Sequence, residues 1–84
     1  MKNKYNVQLS VPSIYKTFDI MIPINKTVGE TIFILIKALN ELTNNSFNAP
    51  NNLYLYNQFD GKKYDLNEFI YNTDIKNGSY LILC

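Results

Sequence analysis

Apolar and polar residues alternate along the first quarter of the chain. In the first stretch the apolar positions are Tyr5, Val7, Leu9 and Val11, separated by Asn6, Gln8 and Ser10. In the second, residues 16–22, one side carries Phe18, Ile20 and Ile22, and the other carries Thr17, Asp19 and Met21. A period of two is typical of half-buried strands. Because Pro12-Ser13 separates the stretches, we predict an antiparallel hairpin.

The pattern then changes to the helical period. Thr27 and Glu30 have the spacing of a capping box, so we predict a helix from Val28 to about Leu42. Its apolar stripe would contain Val28, Ile32, Leu35, Ile36, Leu39 and Leu42, with Glu30, Lys37 and Glu41 opposite. Phe33 and Ile34 lie off this stripe. We expect residues 66–71 or the Asn-rich loop, residues 44–52, to cover them; the alternative is a second docking surface.

Short elements fill the rest of the chain. We predict a third strand at Leu53–Asn57, a short fourth strand at Lys62–Tyr64 after the Asp60-Gly61 turn, a helical turn within Leu66–Tyr71, and a last strand at Ser79–Cys84 after Asn77-Gly78. The helix can bury its stripe against one face of a mixed sheet. The first and last strands would lie side by side and parallel in the middle of that sheet, which makes the fold class α+β.

Size and charge narrow the range of functions. The chain has 84 residues, 46% of them hydrophobic, which suits one domain over residues 1–84 with a real core. Its net charge is +1 and every basic residue is Lys, so neither a cationic field nor bidentate Arg readout supports nucleic-acid binding. The longest apolar block, Ile32–Ile36, is far too short to span a bilayer. We expect no nucleic-acid partner and no membrane insertion.

The chain lacks the residues that several kinds of functional site require. The chain has no His and one Cys, Cys84, so a Cys/His zinc site, a His-based nucleophilic triad and an intrachain disulfide are excluded. The carboxylates Asp60, Asp65, Glu68 and Asp74 are expected to serve turns and caps rather than acid–base catalysis, and Lys62-Lys63 to be a solvated hairpin tip. Cys84 is expected to be inert. We therefore expect a cytoplasmic protein without enzymatic activity, metal or cofactor.

The ββαββ order carries a family resemblance. Phe18–Pro23, the helix opening Val28–Leu39 and the stretch Asp74–Leu83 resemble the ubiquitin-like β-grasp fold, and within it the YukD-like proteins of Gram-positive bacteria. Members of that family are small cytosolic ubiquitin-like proteins encoded with type VII (WXG100-type) secretion systems. The resemblance implies a protein-binding adaptor, an accessory component of such a system, whose partner is a larger protein of the secretion machine.

The resemblance also bears on conjugation. Ubiquitin-like modifiers and sulfur carriers end in a flexible Gly-Gly tail that an activating enzyme adenylates, whereas Leu83-Cys84 falls inside the predicted last strand. We expect a non-conjugated protein. The alternative hypothesis is a modifier or sulfur carrier that is activated in an atypical way at Cys84, and a third is a small enzyme.

Strand alternation locates the candidate binding residues. If Leu53, Leu55, Leu81 and Leu83 face the helix, then Tyr54, Tyr56, Tyr80, Ile82 and Cys84 face the open side of the sheet. Tyrosine is a favoured interface anchor, so we predict protein binding through Tyr54, Tyr56, Tyr80 and Ile82. The alternative interpretation is that these tyrosines only stiffen their strands. A register one residue different would exchange the two faces.

Overall fold

One α-helix packs on one face of a four-stranded sheet in the computed structural model, which describes residues 3–50 and 52–84. The elements are β1 (Lys4–Val11), β2 (Lys16–Pro23), α1 (Val28–Leu42), β3 (Leu55–Asn57) and β4 (Tyr80–Leu83), with short 3-10 turns at Pro12–Ile14 and Ile70–Asn72. The strand order is β2-β1-β4-β3. No helix in the described part of the chain combines the length and apolarity needed to cross a membrane.

The central pairing of the sheet confirms the predicted topology. β1 and β2 form an antiparallel hairpin in which Leu9 lies opposite Phe18. β1 and β4 are parallel, with Leu9 opposite Leu81. The Asn77-Gly78 turn brings β4 into this position: Gly78 has a φ of 87°, and its N–H donates to the Asn6 carbonyl at 2.7 Å. Since glycine adopts such a φ without strain, this turn accounts for the glycine at position 78.

The predicted capping box opens α1. The Thr27 hydroxyl accepts from the Glu30 N–H at 3.1 Å, and Glu30 Oε1 accepts from the Thr27 N–H at 2.9 Å. The backbone hydrogen bond from Thr27 holds the pKa of Glu30 below its ordinary value. Val28 and Gly29 donate to the carbonyls of Glu68 and Leu66 at 2.8 and 3.0 Å. The free N–H groups of the first helical turn are thus all satisfied, and the same bonds hold residues 66–68 against the helix.

Replacing Thr27 with alanine is expected to destabilise the fold by about 0.5–2 kcal/mol, because the Glu30 N–H loses its side-chain acceptor. Chemical unfolding followed by circular dichroism measures the change. Thr17→Ala is the matched control, since Thr17 is exposed and its hydroxyl makes no hydrogen bond in the described residues. Equal unfolding midpoints for the Thr27 variant and the wild type would contradict the capping role.

The core lies between α1 and the inner face of the sheet. Its buried apolar residues are Val7, Leu9, Val11, Ile22, Val28, Ile32, Leu35, Leu39, Phe47, Leu55, Tyr64, Ile70, Ile75, Leu81 and Leu83. The predicted helical stripe is correct except at its end. Leu42 is 60% exposed, because it lies in the last turn beside a shallow groove that only Ile14 and Phe18 line with apolar side chains. Thr31 is buried instead, and its hydroxyl has no partner among the described residues.

The segment between β3 and β4 differs most from the prediction. The third strand is shorter than expected, although Tyr54 and Cys84 exchange two backbone hydrogen bonds, of 2.9 and 3.1 Å, beyond its start. The strand predicted at Lys62–Tyr64 is reduced to a single antiparallel bridge, between Lys63 and Tyr56. The Asn57 and Asp60 side chains accept from the N–H groups of Phe59 and Lys62, which closes local turns in place of a longer ladder.

Candidate functional site

The open face of the sheet is built by strand alternation in β3 and β4. Leu55, Leu81 and Leu83 are fully buried towards α1, so their neighbours along each strand project to the other side. Tyr56 lies directly opposite Ile82, and Tyr80 and Ile82 lie opposite Gln8 and Ser10 of β1. Tyr54, Tyr56, Tyr80 and Ile82 therefore share the face on which the sequence placed them. We call this set the open-face cluster.

Two further side chains extend the cluster. Phe59 packs edge-on against Tyr80 with ring centroids 5.4 Å apart, and 80% of Phe59 remains exposed. The Lys63 ammonium lies 4.3 Å from the centre of the Tyr54 ring, within the range of a cation–π interaction. The sequence pattern predicted neither side chain on this surface, because Phe59 lies in a turn and Lys63 in the segment after it, and tertiary contacts set the path of both. Phe59 therefore extends the cluster at Tyr80, and the Lys63 ammonium extends it at Tyr54.

The β1–β2 half of the open face is polar. A depression of about 680 Å³ there is lined by Asn6, Gln8, Asp19, Met21, Asn77 and Tyr80, among others. Tyr80 belongs to both halves and is 40% exposed. The face therefore offers an apolar area beside hydrogen-bonding groups, which is the arrangement of a protein interface with an apolar centre and a polar rim.

A hydrogen-bond network joins two parts of the segment between β3 and β4. The Tyr64 ring is buried, and its hydroxyl donates to Asp74 Oδ1 at 2.6 Å. Lys62 Nζ lies 3.1 Å from Asp74 Oδ2. Lys62 is solvated, as the sequence predicted, and it also pairs with Asp74. Burial and, next, the bond to Asp74 raise the pKa of Tyr64, and the bond from Tyr64 and the ammonium of Lys62 lower the pKa of Asp74.

Tyr64→Phe is expected to lower the free energy of unfolding at neutral pH by about 0.5–1 kcal/mol, since the Asp74 carboxylate is half exposed and the bond is screened. The folded-state pKa of Asp74 is depressed, so its contribution is present above the unfolded pKa and is lost as pH falls through the folded pKa. The difference between variant and wild type should therefore shrink in acid.

Urea unfolding between neutral and strongly acidic pH measures this difference. Tyr71→Phe is the matched control, because the Tyr71 side chain is exposed and its hydroxyl makes no hydrogen bond within the described residues. A Tyr64→Phe difference that is constant over the whole pH range would show that the hydroxyl acts independently of the Asp74 charge.

The other carboxylates occupy turns, as predicted. Asp60 Oδ1 accepts from the Lys62 N–H and Asp65 Oδ1 from the Asn67 N–H, each at 2.9 Å. Within residues 3–50 and 52–84, no three Cys, Asp or Glu side chains gather into a group that could hold a metal ion. Cys84 is a free, exposed thiol.

A second apolar area lies beside α1. Phe33 is 72% exposed and Ile34 is 40% exposed, so the cover expected from residues 66–71 or the Asn-rich loop is incomplete. Phe33 instead borders a groove of about 580 Å³, which is also lined by Ile32, Ile36, Leu53 and Leu66. Phe69 and Tyr71 stack on one another at 5.3 Å further along the same segment.

This chain is similar to known proteins in structure and not in sequence. No protein-family model matches it, and neither does any curated protein sequence. Among solved structures, a chain of the MycP5-free ESX-5 inner membrane complex superimposes with a TM-score of 0.80 at 15% identity, over 99% of this chain. This chain spans only 21% of that one.

Two ubiquitin-like structures also match. A de novo designed protein based on ubiquitin has a TM-score of 0.67 at 17% identity, covering 100% of this chain and 90% of the design. The ubiquitin-like domain of an Arabidopsis thaliana protein has a TM-score of 0.61 at 20% identity, covering 99% of this chain and 78% of the domain. The chain has a ubiquitin-like β-grasp fold, which confirms the fold expected from the sequence.

Proposed function

We propose that this chain is a non-conjugated ubiquitin-like interaction module that binds a larger protein through the open-face cluster. It has no catalytic activity of its own and works as an accessory cytosolic component of a type VII (WXG100) secretion system. In this proposal the chain acts as an adaptor. This is the role expected of a member of the YukD-like family.

The geometry of the open-face cluster carries the proposal. Tyr56 and Ile82 lie on adjacent strands directly opposite one another, so their half-buried side chains are neighbours on the open face, beside the exposed ring of Tyr80. Phe59 against Tyr80 and Lys63 over Tyr54 hold two of the rings in place. Side chains that are already fixed lose less conformational entropy when a partner docks. Such a surface favours binding over a purely structural role of the tyrosines.

The likeness to the ESX-5 complex supports the secretion context. ESX-5 is a type VII secretion complex, and one of its chains contains a region that superimposes on nearly the whole of this chain. At 15% identity the likeness is one of fold, so it supports the context without identifying the partner. It does show that a domain of this shape is part of a chain in a membrane-associated secretion assembly.

Affinity purification from the native host tests the proposal. The tagged chain is cross-linked in cells, recovered, and its partners are identified by mass spectrometry. We expect components of a type VII secretion machine to be enriched over a matched control, an unrelated tagged ubiquitin-like domain. Enrichment only of proteins unrelated to secretion would contradict the secretion role. The binding role of the open-face cluster is tested separately, by substituting its residues.

The intact mass of the recovered protein separates the adaptor from the modifier hypothesis. An adaptor is recovered as the unmodified chain, whereas a modifier is recovered as conjugates and a sulfur carrier as a thiocarboxylate. Conjugates or a thiocarboxylate of the wild-type chain would overturn the proposal. Cys84→Ser then separates two linkages, because conjugation through the Cys84 thiol is lost in this variant whereas conjugation through the carboxylate of residue 84 persists.

A further inference from the structure

The two edge strands of the sheet, β3 and β2, differ in whether their outer backbone groups are hydrogen-bonded. Along β3, residues 62–64 occupy the outer edge: Asn57 N donates to the Lys62 carbonyl at 2.8 Å, and Tyr64 N donates to the Leu55 carbonyl at 2.9 Å. At the opposite edge β2 spans Lys16–Pro23, twice the length of β4, and its only strand partner among the described residues is β1. The outer side of β2 is therefore an open strand edge.

The register identifies the backbone groups on that edge. Ile24 N donates to the Asn3 carbonyl at 3.1 Å, so odd-numbered residues of β1 exchange hydrogen bonds with even-numbered residues of β2. Gln8 N agrees with this phase, because it donates away from β2, to the Ser79 carbonyl at 2.9 Å. The N–H and C=O groups of Thr17, Asp19 and Met21 consequently point outward. Within residues 3–50 and 52–84 none of them is hydrogen-bonded.

The side chains along this edge differ between the two faces of the sheet. Thr17, Asp19 and Met21 are exposed on the open face. On the helix face Phe18 and Ile20 are half-buried, and the edge leads into the shallow groove beside Leu42. An added strand would therefore meet polar groups on one face and apolar groups on the other, the condition under which a bound strand has one defined register.

Charge disfavours a second copy of this chain as the occupant. Full antiparallel overlap of two β2 edges would place Thr17 opposite Met21 and Asp19 opposite Asp19, and like charges directly opposite destabilise a sheet. Shifting one copy by two residues along the other brings Pro23, which has no N–H, opposite Thr17. A shift in the other direction brings Met21 opposite Tyr15, whose φ of 56° takes it out of the strand conformation. A foreign strand with a cation opposite Asp19 has neither difficulty.

We propose that the outer edge of β2 binds an extended segment of a partner protein as an added strand, with Lys or Arg opposite Asp19 and β-branched side chains facing Phe18 and Ile20. This mode of recognition uses backbone hydrogen bonds for affinity and alternate side chains for specificity. It goes beyond the proposed function, because it uses the edge of the sheet and not the open-face cluster. Its success or failure does not depend on a secretion partner.

A synthetic peptide tests the edge directly. The probe is acetyl-Val-Thr-Val-Lys-Val-Thr-Val-amide, which places Lys opposite Asp19 when Thr, Lys and Thr pair with Met21, Asp19 and Thr17. Titration of the isotope-labelled chain is followed by NMR. We expect the amide signals of Thr17, Asp19 and Met21 to shift and their hydrogen exchange to slow. The amides of Phe18 and Ile20, which are already bonded to β1, should exchange at unchanged rates.

Two methylated peptides provide the matched control. An N-methyl group on the central Lys removes a donor that faces β2 and should weaken binding by about tenfold, whereas the same group on the following Val lies on the far side and should not. Asp19→Lys should reverse the preference, so that a peptide with Glu in place of Lys binds better. The wild-type measurement stands alone if this variant fails to fold.

Several results would overturn the proposal. They are unchanged Thr17, Asp19 and Met21 amides at millimolar peptide, equal affinity of the two methylated peptides, and shifts confined to Tyr54, Tyr56, Tyr80 and Ile82. Shifts of the β2 edge amides on concentrating the chain without peptide would likewise overturn it, since they would identify a second copy as the occupant.

Discussion

Leu35→Ala should destabilise the protein by about 2–5 kcal/mol, the range found when a buried leucine is truncated and its cavity cannot collapse. Leu35 is fully buried in the middle of α1 and belongs to the core formed with the inner face of the sheet. A domain of 84 residues is expected to have a total stability of about 4–13 kcal/mol. The substitution therefore removes a large share of the total, and the melting temperature of the variant should fall well below that of the wild type.

Thermal and urea unfolding of Leu35→Ala and Leu42→Ala form the matched pair. Both substitutions truncate a leucine in α1, so they remove the same side-chain atoms from the same helix. Leu42 is 60% exposed, and its truncation should change stability by about 0.5 kcal/mol or less. Equal losses for the two variants would show that the helix face is misplaced.

The sequence predicted the regular elements well because their signals are local. The capping box needs only Thr27 and Glu30, and both of its hydrogen bonds are present. The alternation in β4 needs only Leu81 and Leu83 on one side and Tyr80 and Ile82 on the other. Since a strand has a strict period of two, knowing one buried residue fixes the face of all the others. The open-face cluster was predictable for this reason.

The errors arose where tertiary structure decides. Helical periodicity places Leu42 on the buried stripe, but it does not show where the helix extends past its apolar cover. It also gave no reason to bury Thr31, whose side chain faces the core although its hydroxyl has no partner among the described residues. The Tyr64–Asp74–Lys62 network joins residues ten and twelve positions apart, and no local pattern predicts such contacts. The open edge of β2 follows from the strand order, which was only partly predicted.

The double substitution Tyr54→Ala/Ile82→Ala should abolish partner binding while the domain remains folded. Both side chains belong to the open-face cluster, and truncating an interface anchor commonly removes 2 kcal/mol or more of binding free energy. Removing two anchors should weaken the complex by about a thousandfold if their contributions add. Loss of the Lys63 contact to Tyr54 should lower the stability of the free domain by about 0.5–1 kcal/mol, and truncation of the half-buried Tyr54 and Ile82 side chains should lower it further. Unfolding of the free variant is therefore measured separately from binding.

Tyr15→Ala/Ile34→Ala is the matched control, because it removes the same two residue types outside the open-face cluster. Tyr15 is 95% exposed in the β1–β2 turn, and Ile34 is 40% exposed on α1. Once a cross-linked partner is identified, its affinity for each purified variant is measured by calorimetry, and folding is checked by circular dichroism. We expect the control to bind like the wild type and the open-face variant not to bind. If the open-face variant retains the partner, the open-face proposal is wrong. Loss of the partner by the control would then place the binding surface at Tyr15 or at Ile34, and the two single substitutions would distinguish these sites.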